Sequence, residues 1–385
     1  MDDRARDMGQ IAQSTYDILV IGGGINGAAI ACRAADKGLK TVLLEKNDFA
    51  SGTSSKSTKL MHGGLRYLET LEFGFVKEAL KERFIQLKKY PQFVKPLPFI
   101  IPVYNSSPRP LWLVRLGVFL YDVLSGRNII EKHRSLSVDE VCQLVPGIKS
   151  NGLRGGVMYY DAQMDDTALC LANISSAVQA GAYAVHHMEV QCFIKKDGKA
   201  VGVEAYDVLG KKNFNVYSKK IICAVGPWAN VFLEKETGRK PAGIRMTKGV
   251  HLVCKGQVSR EAILFQTKKD KRIFFVIPWK GNTLVGTTDT DFTGNPDDVC
   301  AQDEDIAYLL KEVNHFFSGS MFSKENILET FAGLRPLVFQ KGCPSKVSRK
   351  HVIEDSDSGV IYVMGGKFTT YRKIAEDTLE FIRKN

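Results

Sequence analysis

The residues of this chain that could do chemistry are gathered in short glycine-rich strings. Gly22, Gly24 and Gly27 stand at G-x-G-x-x-G spacing after the apolar run Ile18–Ile21, and a second apolar run ends on the acid Glu45. The first glycine permits a tight turn, the second lets the backbone reach a pyrophosphate, the third seats a helix on a strand, and the acid takes ribose hydroxyls. The pyrophosphate would rest on the unsatisfied N–H groups that open the helix. A glycine-rich turn in an ordinary α/β domain is the plainer reading. The flanking strands and the acid at the expected distances favour a dinucleotide site. Further strings set polar or basic residues amid tight glycines: His62, Arg66 and Tyr67; Lys248 and His251; Arg335 before Pro336; and Lys367, Thr369, Thr370 and Arg372. Taken singly, an arginine is usually a surface charge and a lone histidine structural, so none of these assigns a reaction.

The elements that must position these residues follow from the apolar pattern. A strand, an Ala-rich helix and a second strand, Lys40–Leu44, open the chain. A long loop rich in Ser, Thr and Gly follows Glu45, where a nicotinamide enzyme usually enters a helix. Its hydroxyls and backbone N–H groups suit the second half of a larger cofactor, which favours FAD over NAD. Phe75–Tyr90 reads as an amphipathic helix, and Pro91, Pro96, Pro98 and Pro102 mark a stop and an extended segment. Asp165 or Asp166 caps a helix over Ala168–Ala180. Ala184–Ile194, Ala200–Leu209 and Asn215–Ala224 form a meander turning at Asp197-Gly198 and Gly210, and a hairpin is expected through Lys280-Gly281-Asn282. The predicted fold class is α/β. A Rossmann-like nucleotide domain (1–90, 151–240 and 330–385) carries an inserted β-sheet-rich substrate domain (91–150 and 241–329).

Composition bounds the function. With 385 residues, 44% hydrophobic and 25% charged, the chain is long enough for about two domains with proper cores. The polar N-terminus suggests no secretion signal. Eight cysteines without a C-x-x-C pair argue against zinc ribbons and cysteine-ligated clusters, suit a reducing cytosol, and leave no metal expected. The net charge of +11 points to a phosphorylated substrate, an anionic membrane surface or nucleic acid, or to a solvated basic face. No basic stretch is interleaved with aromatics, so nucleic acid is not expected. Leu111–Leu124 is too short to span a bilayer and reads either as a helix buried between domains or as one lying in a membrane interface.

Taken together the strings VIGGGINGA, TSSKSTKLMHGGLRYLE, AVGPWA, KGVHLV, RIFFVIPW, VGTTDTDFTG, AGLRPL and GGKFTTYRK resemble the FAD-dependent glycerol-3-phosphate dehydrogenases, within the flavoprotein fold of D-amino-acid oxidase. They run almost the length of the chain, to Arg372; members of that family commonly continue into a helical C-terminal domain. The resemblance implies oxidation of sn-glycerol 3-phosphate to dihydroxyacetone phosphate, with hydride transfer from C2 to flavin N5 and electrons passed to a quinone. It implies a cytoplasmic enzyme peripheral on the membrane's inner face. By motif, Arg66, Tyr67, His251, Arg335 and Arg349 fall on substrate positions, where guanidinium forks match phosphate oxygens. His251 is the favoured proton acceptor, its ordinary pKa near 6.5 suiting neutral pH, against a plain structural histidine on a strand; Arg335 would instead lower the pKa of the substrate hydroxyl or orient it, and Lys367 is another candidate near the ring. Cofactor contacts are expected from Gly22, Gly24, Gly27, Glu45, Thr53, Ser54, Ser55, Lys59, Leu60, His62, Gly63, Gly64, Val190, Gly226, Gly366, Lys367, Thr369 and Thr370. Thr369 and Thr370 would open the last helix beneath the flavin, its dipole favouring the reduced ring. Other readings keep the fold with a different 2-hydroxy acid or amine, or use oxygen as acceptor, or retain the flavin in a protein that has lost turnover.

Overall fold

The computed structural model describes residues 8–238, 244–268, 270–319, 321–338 and 351–385. In chain order its strands are β1 (Thr15–Ile21), β2 (Thr41–Leu44), β3 (Leu60–Met61), β4 (Val94–Tyr104), β5 (Arg134–Leu136), β6 (Leu153–Met164), β7 (Tyr183–Val185), β8 (Met188–Lys196) and β9 (Lys199–Asp207). They continue with β10 (Lys212–Cys223), β11 (Ile244–Cys254), β12 (Ala262–Gln266), β13 (Ile273–Trp279), β14 (Asn282–Gly286), β15 (Thr290–Phe292), β16 (Ile327–Val338), β17 (His351–Asp355) and β18 (Val360–Gly365). The helices are α1 (Met8–Ala12), α2 (Ile25–Asp36), α3 (Phe73–Lys89), α4 (Leu111–Ser125), α5 (Val138–Leu144), α6 (Asp166–Gln179), α7 (Ala229–Thr237), α8 (Asp303–Phe316) and α9 (Tyr371–Lys384).

The first sheet runs β17-β18-β10-β1-β2-β7, with the β8–β9 meander continuing from β10. Strands β18, β10, β1, β2 and β7 are parallel. A parallel sheet is covered on both faces, and β1 is apolar on both for that reason. Ile18 and Val20 sit in the cluster with α2, α6 and α9, whereas Leu19 and Ile21 sit with Val190, Val203 and Val216 of the meander. Helix α2 buries Ala28, Ala29, Ala31, Ala34 and Ala35, and small residues let its neighbours approach closely. Gly27 takes this furthest: a Cβ there would lie 1.9 Å from the Gly22 carbonyl oxygen. The expected turns form as read. Asp197 and Gly198, at φ of 50° and 76°, join β8 to β9, and Lys280 and Gly281, at 49° and 77°, join β13 to β14. Two successive left-handed residues make the turn whose twist suits a hairpin. Asp165 is the N-cap of α6, its side chain accepting from Ala168 N at 3.0 Å.

The second sheet runs β15-β11-β14-β13-β12-β4-β6-β3, with β16 on β11 and β5 on β6. Helices α5 and α8 cover one face and α3 and α4 the other. This shifts the boundary expected from sequence. Residues 153–164 and 330–338, assigned to the nucleotide domain, lie in the second sheet, β6 pairing along ten positions of β4 and β16 along β11. Helix α4 also departs from the interdomain reading. It buries only Val118, Tyr121 and Ser125. Trp112, Leu116, Phe119 and Val123, spaced for one helical face, are 65%, 52%, 54% and 56% exposed.

Candidate active site

A cleft of about 690 Å³ lies between the two sheets. Its floor is the carboxyl ends of the parallel strands: Ile21 and Gly22 at the end of β1, Leu44 and Glu45 at the end of β2, Ala224–Gly226 just past β10, and Gly365–Lys367 at the end of β18. That is where open α/β sheets bind ligands. Met246, Gly249 and His251 of β11 and residues 333–337 of β16 form the other wall, and the loop 50–58 lies along the cleft.

Gly22 sits at φ 104°, and a Cβ there would lie 2.7 Å from Ala224 O, so the turn is open only to glycine. Gly24 precedes α2 and faces the cleft. The Glu45 carboxylate accepts from Gly23 N at 2.6 Å and Asn47 N at 2.8 Å, which fixes it at the edge of the glycine turn. Burial raises its pKa, while those two backbone bonds pull it down. One N–H at the start of α2 is already engaged: Ile25 N donates to Ser54 Oγ at 2.9 Å, which draws the polar loop over the helix terminus. Thr53 Oγ1 donates to Leu334 O at 2.7 Å and ties that loop to β16. Gly333 makes this approach feasible, since a Cβ would meet Lys56 Cβ at 2.6 Å.

Of the expected cofactor positions, Gly22, Gly24, Glu45, Thr53, Ser54, Leu60, His62, Val190, Gly226, Gly366, Lys367 and Thr369 line the cleft. Gly27, Ser55, Lys59, Gly63, Gly64 and Thr370 do not. Gly27 supports the turn through packing, as described. Lys59 points elsewhere, its Nζ 2.8 Å from the buried Asp166 carboxylate, which also accepts from Ser57 Oγ at 2.6 Å. The loop is thereby clamped to the N-terminus of α6. Gly63 N donates to the buried Asp161, itself paired with Arg83 at 2.7 Å, and Gly64 stands at φ 85° with the Tyr67 ring against it. Thr370 is buried, its hydroxyl bonded to Lys367 O at 3.1 Å, so only Thr369 of the pair reaches the cleft ahead of α9.

The basic and titratable groups converge at one end. His251 is 1% exposed and stacked on Phe331, with Nε2 3.0 Å from Thr58 Oγ1. Burial first, then the charges of Arg335 and Lys59, hold its pKa well below that of free histidine, so the imidazole is neutral. Arg335 is held in a polar seat: Nη2 donates to Thr287 Oγ1 at 2.8 Å, and Nη1 to Asp289 Oδ1 at 3.0 Å and Thr288 O at 3.2 Å. Lys367 Nζ donates to His62 O and lies 5.9 Å from the Tyr67 ring centroid, and Arg66 lies over the same ring at 5.2 Å. Arg66 and Tyr67 stand behind Lys367 and outside the cleft lining. Arg349 falls outside the described residues.

Thr58, Thr287, Asp289 and Gly249 were not singled out from sequence. Thr287 and Asp289 lie in the quoted VGTTDTDFTG string, which was the one signal available for them. Trp228 was missed at the opposite end, where Lys46 Nζ sits 4.5 Å from its ring centroid and its indole N–H donates to Asp297 at 3.2 Å.

The site fits an extended dinucleotide with a redox ring at its basic end. The glycine cradle holds no side chain that would fill it, Glu45 lines the cleft at the end of β2, and His251 Nδ1 and Arg66 Nη2 are buried without a hydrogen-bond partner among the described residues.

Comparison with known proteins agrees. Residues 17–372 match the FAD dependent oxidoreductase family. The aerobic glycerol-3-phosphate dehydrogenase of Bacillus subtilis is 40% identical over 384 residues, covering 99% of this chain and 69% of that protein. A glycerol-3-phosphate dehydrogenase of Synechocystis is 38% identical, covering 97% and 71%. The crystal structure of the glycerol-3-phosphate dehydrogenase from Bacillus halodurans, complexed with FAD, superimposes with a TM-score of 0.80 at 33% identity, covering 98% of this chain and 66% of that one. The chain thus spans about two thirds of the length of these relatives. With that cleft and these relatives, the chain belongs to the FAD-dependent oxidoreductase family, among its glycerol-3-phosphate dehydrogenases.

Proposed function

We propose that this chain oxidises sn-glycerol 3-phosphate to dihydroxyacetone phosphate with FAD, and that a quinone takes the electrons onward. One observation carries the reading: a neutral, buried His251 beside the fixed guanidinium of Arg335, at one end of a dinucleotide cleft. When FAD is bound, Gly22, Gly24, Glu45, Ser54 and Thr53 would hold its adenosine and pyrophosphate half, and His62, Gly366, Lys367 and Thr369 would lie toward its redox half. When bound, the flavin supplies the two-electron acceptor that oxidation of the C2–H bond requires.

The protein's own groups do the rest. In the tautomer whose Nε2–H donates to Thr58 Oγ1, that bond fixes the ring and the Nδ1 lone pair is the one that takes the C2 hydroxyl proton. The burial that keeps His251 neutral also makes imidazolium unfavourable there, so the proton does not rest on His251 but is released to bulk water at the cleft. The positive charges of Arg335 at the cleft and of Arg66 behind Lys367 favour a dianionic phosphate at this end; a monocarboxylate or neutral substrate would leave these cations poorly matched. Lys367, held by His62 O, places a further positive charge between Tyr67 and the cleft. Anaerobic addition of glycerol 3-phosphate to the purified yellow protein is expected to bleach the flavin absorbance. A spectrum unchanged at millimolar substrate would overturn the assignment.

The acceptor and the attachment go together. No helix among the described residues is long and apolar enough to cross a membrane. The exposed Trp112, Leu116, Phe119 and Val123 of α4, with Arg115 exposed on the same helix, suit a bilayer interface, where a lipophilic quinone resides. The net charge of +11 favours anionic lipid. Co-flotation with anionic liposomes at low salt tests this; protein remaining in the soluble layer would count against it.

A further inference from the structure

Outside the cleft, one cluster of metal-ligating side chains has no part in the chemistry above. His186 and His187 form the two-residue connection between β7 and β8, and Asp48 lies in the loop that follows β2. One ligand atom from each lies within 4.8 Å of the others. Asp48 Oδ1 is 3.2 Å from His187 Nε2 and 3.7 Å from His186 Nδ1. Two ligands held at 2.0–2.1 Å on a tetrahedral ion stand roughly 3.3 Å apart. The observed separations straddle that figure.

The backbone delivers the three groups together. Glu45 N donates to Val185 O at 2.9 Å, Met188 N to Glu45 O at 2.7 Å, and His187 N to Asn47 O at 3.2 Å, so the two connections are stitched side by side. His187 adopts a φ of 55°, a left-handed conformation that turns its ring back toward the loop. The His186 ring packs edge-on against buried Phe49 at 5.4 Å and lies 4.6 Å from the His187 ring. Both imidazoles are therefore held rather than free to swing. His186 Nδ1 is itself buried, so an ion would enter from the side of Asp48, which is 76% exposed and leaves room for water as a further ligand.

We propose that His186, His187 and Asp48 bind a divalent transition-metal ion of the zinc class, fastening the 45–48 loop to the β7–β8 turn. Two imidazoles and one carboxylate select Zn²⁺, Co²⁺ or Ni²⁺ over Mg²⁺ and Ca²⁺, which prefer all-oxygen shells. The ion acts on cofactor retention rather than on the reaction. Glu45 begins the fastened loop, and Met188, Glu189 and Val190, which follow the histidines directly, line the cleft. Closing this clip holds the ribose end of the cleft in its binding form, so metal and FAD each tighten the other's binding. The sequence carried no such signal, since the two segments are well over a hundred residues apart.

Calorimetric titration of the FAD-loaded protein with Zn²⁺, and its absorption spectrum with Co²⁺, test this without measuring turnover. One equivalent of Zn²⁺ is expected to bind, with a visible Co²⁺ band of low coordination number and no response to Mg²⁺. His187→Ala and Asp48→Asn, both at partly exposed positions, should each weaken Zn²⁺ binding more than about tenfold while leaving FAD content and circular dichroism unchanged. FAD should dissociate more slowly from the Zn²⁺-loaded wild type than from the Zn²⁺-treated variants. Absence of Zn²⁺ binding, or equal affinity in the variants, would overturn the site. Site-dependent Zn²⁺ binding with no change in FAD dissociation would overturn the coupling. Neither result bears on whether glycerol 3-phosphate bleaches the flavin.

Discussion

Gly249→Ala tests the assignment of Arg335 without touching its charge. Gly249 lies in β11 beside Arg335 of β16, and a Cβ there would stand 2.3 Å from Arg335 Nη2, 2.7 Å from its Cζ and 2.7 Å from Thr287 Oγ1. The guanidinium must retreat by about 1.1 Å to reach the 3.4 Å at which ordinary contact begins. Its bonds to Thr287 Oγ1 at 2.8 Å and Asp289 Oδ1 at 3.0 Å do not survive such a shift. A displacement of about 1 Å in a positioning group costs on the order of 10²-fold in rate, or about 2.7 kcal/mol of transition-state stabilisation. The clashing atoms are side-chain termini able to move and a strand accepts alanine, so the loss of stability should be that of the Thr287 and Asp289 bonds, about 1–3 kcal/mol, without unfolding. The assay is kcat/KM for glycerol 3-phosphate with a dye acceptor, alongside FAD content and the unfolding midpoint. A variant with full FAD, an unchanged midpoint and kcat/KM within about threefold of wild type would refute the role given to Arg335.

Three further outcomes follow from the same geometry. Below pH 6.5 the unfolded chain binds a proton that folded, buried His251 refuses, so the stability it contributes is complete above 6.5 and falls by about 1.36 kcal/mol per pH unit on acidification toward its depressed folded value. Urea unfolding at stepped pH should show His251→Gln losing that much slope relative to wild type; equal slopes would show that His251 is not held neutral. Asp166→Asn leaves the Lys59 ammonium buried without its counter-charge, at a cost of about 3–5 kcal/mol, and frees the Ser57 end of the polar loop. The midpoint should drop and FAD dissociate faster; an unperturbed midpoint would show that the clamp adds nothing. Paired Trp112→Lys and Phe119→Lys changes on α4 should abolish liposome flotation while sparing anaerobic bleaching, and undiminished flotation would place the membrane contact elsewhere.

The sequence by itself determined what rests on local physics. The glycine turn, the acid after β2 and the hairpins at Asp197-Gly198 and Lys280-Gly281 each depend on backbone rules acting over a few residues and formed where the residues placed them, and of the two cap candidates, Asp165 and Asp166, Asp165 took the position. The string of motifs also sufficed to recognise the family and its cofactor. Tertiary structure alone decided the rest. It moved residues 153–164 and the start of 330–385 into the second sheet, because strand pairing depends on partners far along the chain. It turned Lys59 from the cleft to Asp166, 107 residues away, and joined His251 to Thr58 across 193. It gave Arg335 its seat on Thr287 and Asp289, which Gly249 leaves room for. It exposed the apolar face of α4, because an amphipathic pattern fixes a face but not what covers it. The types of the reactive residues were legible because glycine, histidine and arginine each carry distinctive chemistry. Their partners were not, since a hydrogen bond or a buried charge exists only once two distant segments meet.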